Sequence, residues 1–313
     1  MFKKVTKAGA IIALSLSLVG CGNGASKGDS ALSDADKKVI LITMDSTDLH
    51  WVSVNEGAEK AAKEDGTVNY KWMAPDKKDD AQQIERINNA IADGANAIMI
   101  SANGRDSVSG ALEEAKAEGI KIVYVDSPAS IEGEATFATD NFSAGELAAK
   151  EMVEKLNEKG ITEGKIGVVN FNASADTAIK REEGFRAALK DTKFDILATQ
   201  YSDGDASKSQ DISDNYITDG VVGIFATNEG CTVGTGNAIK GSKSDVIAVG
   251  FDKSDAILSL VEDGSLYATM AQKPEDMGYR GMKAALDVLN GKEVEEKNVD
   301  TGVSVINKDN LKK

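Results

Sequence analysis

The stretch AIMISANGRDSVSGALEEAKAEGIKIVYVDS, residues 97–127, decides the fold. It opens on four consecutive apolar residues, 97–100, and closes on a second apolar run, 120–125. Between them a helical pattern near 104–118 stops at Gly119, a residue suited to the left-handed turn that ends a helix. Apolar runs of strand length without polar alternation are buried on both faces. A helix joining two of them makes the strands parallel. Each run ends in a polar cluster: Ser101, Asn103 and Arg105 after the first, Asp126 and Ser127 after the second.

The same unit extends both ways. Upstream, strands are predicted over 39–42 and 68–73, with helices over about 51–65 and 79–92. Downstream comes a short strand over 135–139, and then the pattern restarts. Strands over 166–170, 196–201, 221–226, 246–251 and 267–271 alternate with helices near 175–190, 206–218, 228–239, 253–262 and 274–290. Asn141-Phe142-Ser143 and Pro274-Glu275-Asp276 read as helix starts, Gly160 and Gly291 as stops. Two similar half-chains predict an α/β fold of two doubly wound parallel-sheet lobes.

The first thirty residues stand apart. Lys3, Lys4 and Lys7 precede an apolar run over 8–19 that is too short to span a bilayer but has signal-peptide proportions. The run ends Leu18-Val19-Gly20-Cys21, similar to a bacterial lipobox, which predicts cleavage before Cys21 and its lipidation. Residues 1–20 are the expected lipoprotein signal and 21–36 a flexible tether. Such an anchor holds a soluble body at a cell membrane, outside the cytoplasm.

Composition narrows the function. Loss of three lysines with residues 1–20 takes the formal charge from −15 to −18, the opposite of a nucleic-acid footprint. Once Cys21 is assigned, Cys231 has no disulfide partner, and His50 is the single histidine. Zinc sites and Ser-His-Asp chemistry need more than this, so no catalytic residue, metal or cofactor is expected.

Ligands of open parallel sheets bind beyond the carboxyl ends of the strands. There the sequence places Asp48, His50 and Trp51, then Asn103 and Arg105, then Asp126 and Ser127. In the second half come Asn172, Asn228, Asp252 and Gln272. Carboxylates and amides fork across neighbouring hydroxyls, and an aromatic ring packs on the C–H face of a sugar. Any one of these residues also suits a helix cap. As a set they predict a pocket for a polyhydroxylated, uncharged ligand.

Ordered markers then carry a resemblance: Gly57-Ala58, Asp93-Gly94, Val125-Asp126, Thr139-Asp140-Asn141, Arg181-Glu182-Glu183-Gly184-Phe185, Ala226-Thr227-Asn228-Glu229, Val249-Gly250-Phe251-Asp252 and Ala271-Gln272. Over about 38–307 the chain resembles the type I periplasmic binding proteins, in particular the ribose-binding-protein-like sugar receptors of ABC transporters. The resemblance implies a three-segment hinge near Thr139-Asp140, Ala271-Gln272 and residue 298. The lobes implied are 37–139 plus 272–298, and 140–271 plus 299–313. It implies that Asp48, His50 and Trp51 supply a polar group and two aromatics, that Asp126 is the first-lobe carboxylate, and that Asn228, Asp252 and Gln272 are second-lobe and hinge contacts. The chain departs from that pattern where Ser127 and Ile179 replace arginines and His50 replaces a phenylalanine; Arg105 is a candidate substitute, and Asp176 and Asn172 are candidates for the same wall. The expected partners are a monosaccharide and an ABC permease, with the protein monomeric. The alternative is a sensory receptor presenting a sugar or furanosyl signal to a chemoreceptor or histidine kinase. A lactose-repressor-type regulator would need a basic DNA-binding head in place of the export signal, and a hydrolase reading is not needed to explain carboxylates that bind hydroxyls.

Overall fold

The computed structural model describes residues 37–311. The expected signal (1–20), the tether (21–36) with Cys21, and residues 312–313 lie outside the described residues.

The first half runs β1 (Lys38–Ile42), α1 (Leu49–Asp65), β2 (Asn69–Met73), α2 (Asp80–Ala92), β3 (Ala97–Ile100), α3 (Ser109–Ala117), β4 (Lys121–Val125) and β5 (Ala135–Ala138). The second runs α4 (Asn141–Glu158), β6 (Glu163–Asn170), α5 (Asp176–Leu189), β7 (Lys193–Ile196), β8 (Gln200–Tyr201), α6 (Ala206–Thr218), β9 (Gly223–Ala226), α7 (Glu229–Ser242), β10 (Ile247–Phe251), α8 (Asp255–Asp263) and β11 (Ala268–Ala271). The chain then returns through α9 (Pro274–Leu289), β12 (Asn298–Asp300) and β13 (Ser304–Asn307).

One sheet has the order β12-β5-β4-β3-β1-β2, the other β13-β11-β10-β9-β6-β7, with β8 also on β6. Both contain the doubly wound 2-1-3-4-5 arrangement, whose switch point lies beside the first strand. Alternation along β1 explains the layering. Val39 and Leu41 pack with α1 and α9 residues, whereas Ile40 and Ile42 pack with Ile87 of α2 and Leu112 of α3. All four strand residues are fully buried, each worth about 1.5–3 kcal/mol. In the second lobe Phe185 of α5 stacks on Phe225 of β9 with centroids 4.2 Å apart, and Phe251 of β10 meets that pair edge-on.

Three departures from the expected elements matter. The predicted strand over 196–201 is two short pieces, β7 and β8. The helix predicted from 104 starts at Ser109, after a loop that reaches the other lobe. The terminal segment contributes two strands the sequence pattern did not reveal. β12 pairs in parallel with β5 up to Asp300, so the last crossing lies between Asp300 and Ser304 rather than after 298. β13 pairs antiparallel with β11, so the second sheet is not wholly parallel. The crossings lie side by side: Thr139 Oγ1 donates to Gln272 Oε1 at 2.9 Å, Asp140 N donates to Asp300 Oδ1 at 3.0 Å, and Thr301 N donates to Ala138 O at 2.8 Å.

Candidate functional site

The strand ends of the two sheets face each other across one cleft. Asp126 follows β4 and Asp252 follows β10, and the two are built alike. Each has positive φ (66° and 76°), and each donates its backbone N–H to the neighbouring strand, Asp126 to Phe137 O and Asp252 to Met270 O. Positive φ costs a side-chain-bearing residue of this kind about 1 kcal/mol, and such strain gathers at functional sites. The turn aims both carboxylates into the cleft, where both residues are buried.

His50, in the first turn of α1, lies between them. Its Nε2 is 2.7 Å from Asp126 Oδ2 and its Nδ1 is 3.4 Å from Asp252 Oδ1. The Nε2 contact is close but not aligned along the N–H, so it acts as an ion pair. Burial alone would lower the His50 pKa; Asp126 and Asp252 overcome it and raise it to about 10. Burial likewise works against ionised Asp252, but His50, Arg181 and Gln272 hold its pKa at about 2.

Gln272, at a chain crossing, links the layers. Its Nε2 donates to Asp252 Oδ1 at 2.7 Å, and its Oε1 accepts from Thr139 and from Arg181 Nη2 at 2.9 Å each. Arg181 also donates to Asn141 Oδ1 and Thr227 O at 2.7 Å each, and its guanidinium lies 4.2 Å from the Phe251 ring centroid. On the α1 side, Asp45 accepts from the backbone of Thr47 and Asp48 and from Trp51 Nε1. Lys78 bridges Asp45 and Asp48, reaching Asp48 Oδ2 at 2.7 Å. Burial pushes the Asp45 carboxyl up, but Lys78 and the backbone donors hold it below its usual range.

The cavity among these groups measures about 20 Å³, room for about one water. Seven sequence-predicted residues line it: Asp48, His50, Trp51, Asp126, Asn228, Asp252 and Gln272. Four others are placed elsewhere. Asn172 Oδ1 accepts from Ser174 N and Ala175 N in the turn that leads into α5, and its amide donates across the cleft to Asn103 O at 3.3 Å. The Asn103 side chain points to Asp80. Arg105 joins the lobes at the rim, its N–H donating to Ser174 O at 2.9 Å and its guanidinium lying 3.3 Å from Asp176. Ser127 is fully buried behind Asp126, its backbone carbonyl accepting from Ala102 N. The lining residues missed by sequence reasoning are Met44, Lys78, Phe171, Thr177 and Arg181.

The chain belongs to the periplasmic binding protein family. Residues 39–293 match the family's periplasmic binding protein domain. The ribose import binding protein of Bacillus subtilis is 31% identical over 251 residues, 79% of each chain. That of Haemophilus influenzae is 29% identical over 86% of this chain and 91% of its own. A carbohydrate-transporter solute-binding protein from Agrobacterium radiobacter, solved with D-arabinose, superposes with TM-score 0.85 at 31% identity over 90% of this chain and 97% of its own. One from Agrobacterium vitis, solved with D-fucose, superposes with TM-score 0.83 at 31% identity over 88% and 97%. The two-lobe α/β architecture of this binding protein is therefore the family fold.

At the edge of its site, Glu229 begins α7 and accepts from His50 N at 3.3 Å. Burial, then Asp252 and Asp48, raise the Glu229 pKa to about 7. A raised carboxyl pKa binds the proton more tightly in the folded state, so its stabilising effect fades as pH rises from about 4.5 through 7. Glu229→Gln is expected to melt above the parent at pH 8 and to lose that advantage at pH 5, read by calorimetry. An advantage that does not change with pH would contradict this electrostatic environment.

Proposed function

We propose that the protein is an extracytoplasmic solute-binding lipoprotein that captures a monosaccharide between its lobes and delivers it to an ABC permease. The observation that carries this is the convergence of Asp126 from one lobe with Asn228, Asp252 and Gln272 from the other lobe and the crossing, on one cavity beside Trp51. Carboxylates and amides from opposite lobes accept from and donate to neighbouring hydroxyls, so a guest touching both favours closure. Closure by hinge motion then presents both lobes together to a permease. The names of the relatives support a sugar, since they cover ribose, D-allose and D-apiose import or binding. No helix among the described residues is long and apolar enough to cross a membrane; the proposed anchor is a lipid on Cys21, which ends the lipobox-like Leu18-Val19-Gly20-Cys21. The ligand leaves unchanged, with no bond made or broken.

A thermal-shift panel of D-ribose, D-arabinose, D-fucose, D-allose and D-apiose against the mature protein tests the reading. A binder is expected to raise the midpoint in proportion to the logarithm of its concentration, as mass action requires. An unchanged midpoint for every sugar, with a nucleoside or amino acid raising it instead, would overturn the carbohydrate assignment. Mass spectrometry of the membrane-extracted protein tests the anchor: the N-terminal peptide is expected to begin at a diacylglyceryl-modified Cys21.

A further inference from the structure

His50 lines both the small cavity and the groove beside it, and its ring lies between the two carboxylates of the cleft. Its ring belongs to the first lobe, and its two nitrogens face carboxylates of both lobes. Those carboxylates, Asp126 and Asp252, are the groups assigned above to ligand hydroxyls. The space left beside the ring holds about one water, not a monosaccharide. A sugar whose hydroxyls used both carboxylates would have to take acceptors that the ring now faces. A groove of about 930 Å³ opens on the α1 and α9 side, lined by His50, Leu49, Glu56, Glu229 and Lys273. His50 lines this groove as well as the cavity, so the groove is the volume open to its ring.

We propose that His50 is an internal occupant of the cleft, bridging Asp126 of one lobe to Asp252 of the other, and that a sugar enters by exchanging with its imidazolium. The proposal rests on the carbohydrate reading and names how that site is filled and emptied. His50 is thereby a specificity-determining residue: a guest succeeds only if its hydroxyls satisfy both carboxylates at least as well as the ring does.

The charges around the ring set the proton balance. From its own lobe it meets Asp126 and the Asp48–Lys78 pair. From the second lobe it meets Asp252 and Glu229, and Arg181, bonded to Gln272, lines the same cavity and acts on both Asp126 and Asp252. The groove beyond carries Lys60, Lys253 and Lys273 against Glu56, Glu64, Asp255, Glu275 and Asp276. Carboxylates dominate near the ring, so the bridge is made by the charged form, whose pKa is raised to about 10. In the hydrated groove the ring returns toward the ordinary histidine value of about 6.5. Between these two pH values exchange releases one proton, and sugar affinity rises about tenfold per pH unit.

The single histidine gives one Cε1–H signal in ¹H–¹³C NMR, which tests the proposal in two arms. Without sugar, the ring of the mature protein is expected to remain imidazolium from pH 5 to about 9. A midpoint near 6.5 overturns the bridge, whether or not any sugar binds. With the sugar that raises the thermal midpoint most, calorimetry at pH 8 in phosphate and in Tris is expected to report close to one proton released per sugar. The ring signal is then expected to titrate in the ordinary histidine range. Glu229 also titrates near neutrality, so His50→Gln sets the baseline: its affinity is expected to lose the tenfold-per-unit slope. A sugar that binds the parent with the same pH dependence as His50→Gln, leaving the ring signal unmoved, overturns the exchange while the carbohydrate reading stands. If no sugar of the panel binds either the parent or His50→Ala, the carbohydrate reading fails, and the exchange with it.

Discussion

Asp252→Ala is expected to lose at least about a hundredfold in affinity for the sugar that stabilises the parent. Asp252 is buried at the end of β10, and its carboxylate already holds Gln272 Nε2 at 2.7 Å and faces His50. A charged acceptor at such a position is worth about 1.5–3 kcal/mol per hydrogen bond. Two sugar hydroxyls on one carboxylate therefore correspond to about 3–6 kcal/mol, or a hundred- to ten-thousand-fold in the dissociation constant. The substitution also removes the second-lobe half of the grip, so the remaining contacts no longer favour closure. Asp252→Asn separates charge from backbone, because asparagine tolerates the φ of 76° that alanine resists. If the charge is what matters, both variants lose the thermal shift while circular dichroism reports a folded protein. A thermal response within threefold of the parent in Asp252→Ala would remove Asp252 from the site.

How far the sequence reveals this arrangement depends on the kind of residue. The sheets were legible because runs such as Ala97–Ile100 have no polar face to offer solvent, and every residue of that run is buried. β12 and β13 were not, because Asn298–Asp300 and Ser304–Asn307 are short edge strands in which only Val299 is buried, so neither presents an apolar run. The cavity's carboxylates were legible because the strand-end rule names them by position. Lys78 was not: it sits in a Lys-Lys-Asp-Asp run that reads as a solvated turn. Nothing local distinguishes Lys77, whose side chain is 71% exposed, from Lys78 at 7%; only the Asp45–Asp48 loop, thirty residues earlier, does so. Arg181 left a usable signal. It shares a helical face with Ala178 and Phe185, both fully buried, and a charged residue on such a face needs interior partners. Arg105 was misleading for the opposite reason. It follows a strand end, but α3 starts late, and the intervening loop carries it to the rim opposite Asp176.

Gly278→Ala is expected to cost about 3 kcal/mol of stability, although it adds a single methyl group to a helix. α1 and α9 cross so closely that a Cβ on Gly278 would lie 1.9 Å from Val54 O and 2.8 Å from Val54 C. The reciprocal contact is equally tight, with a Cβ on Gly57 falling 2.0 Å from Glu275 O. In both cases the obstacle is backbone, so no rotamer change relieves it and the helices must move apart. Moving α9 outward lifts Met282, Ala285 and Leu286 off the first sheet, where they are nearly or fully buried. Overpacking of this kind costs about 1–3 kcal/mol or more, and the voids left behind add to it. At about 2–4 °C per kcal/mol for a body of this size, the midpoint is expected to fall by roughly 6–12 °C. Gly241→Ala in α7 is the control, since a Cβ there meets nothing within 4 Å. The higher helix propensity of alanine is expected to make that variant about 0.5–1 kcal/mol more stable. The displacement also reaches the cleft, because α1 carries His50 and Trp51 in its first turn and α9 starts two residues after Gln272. Sugar affinity of Gly278→Ala, measured below its midpoint, is therefore expected to fall, whereas that of Gly241→Ala is expected to match the parent. Equal melting of the two glycine variants would mean that the α1–α9 crossing yields without disturbing the core.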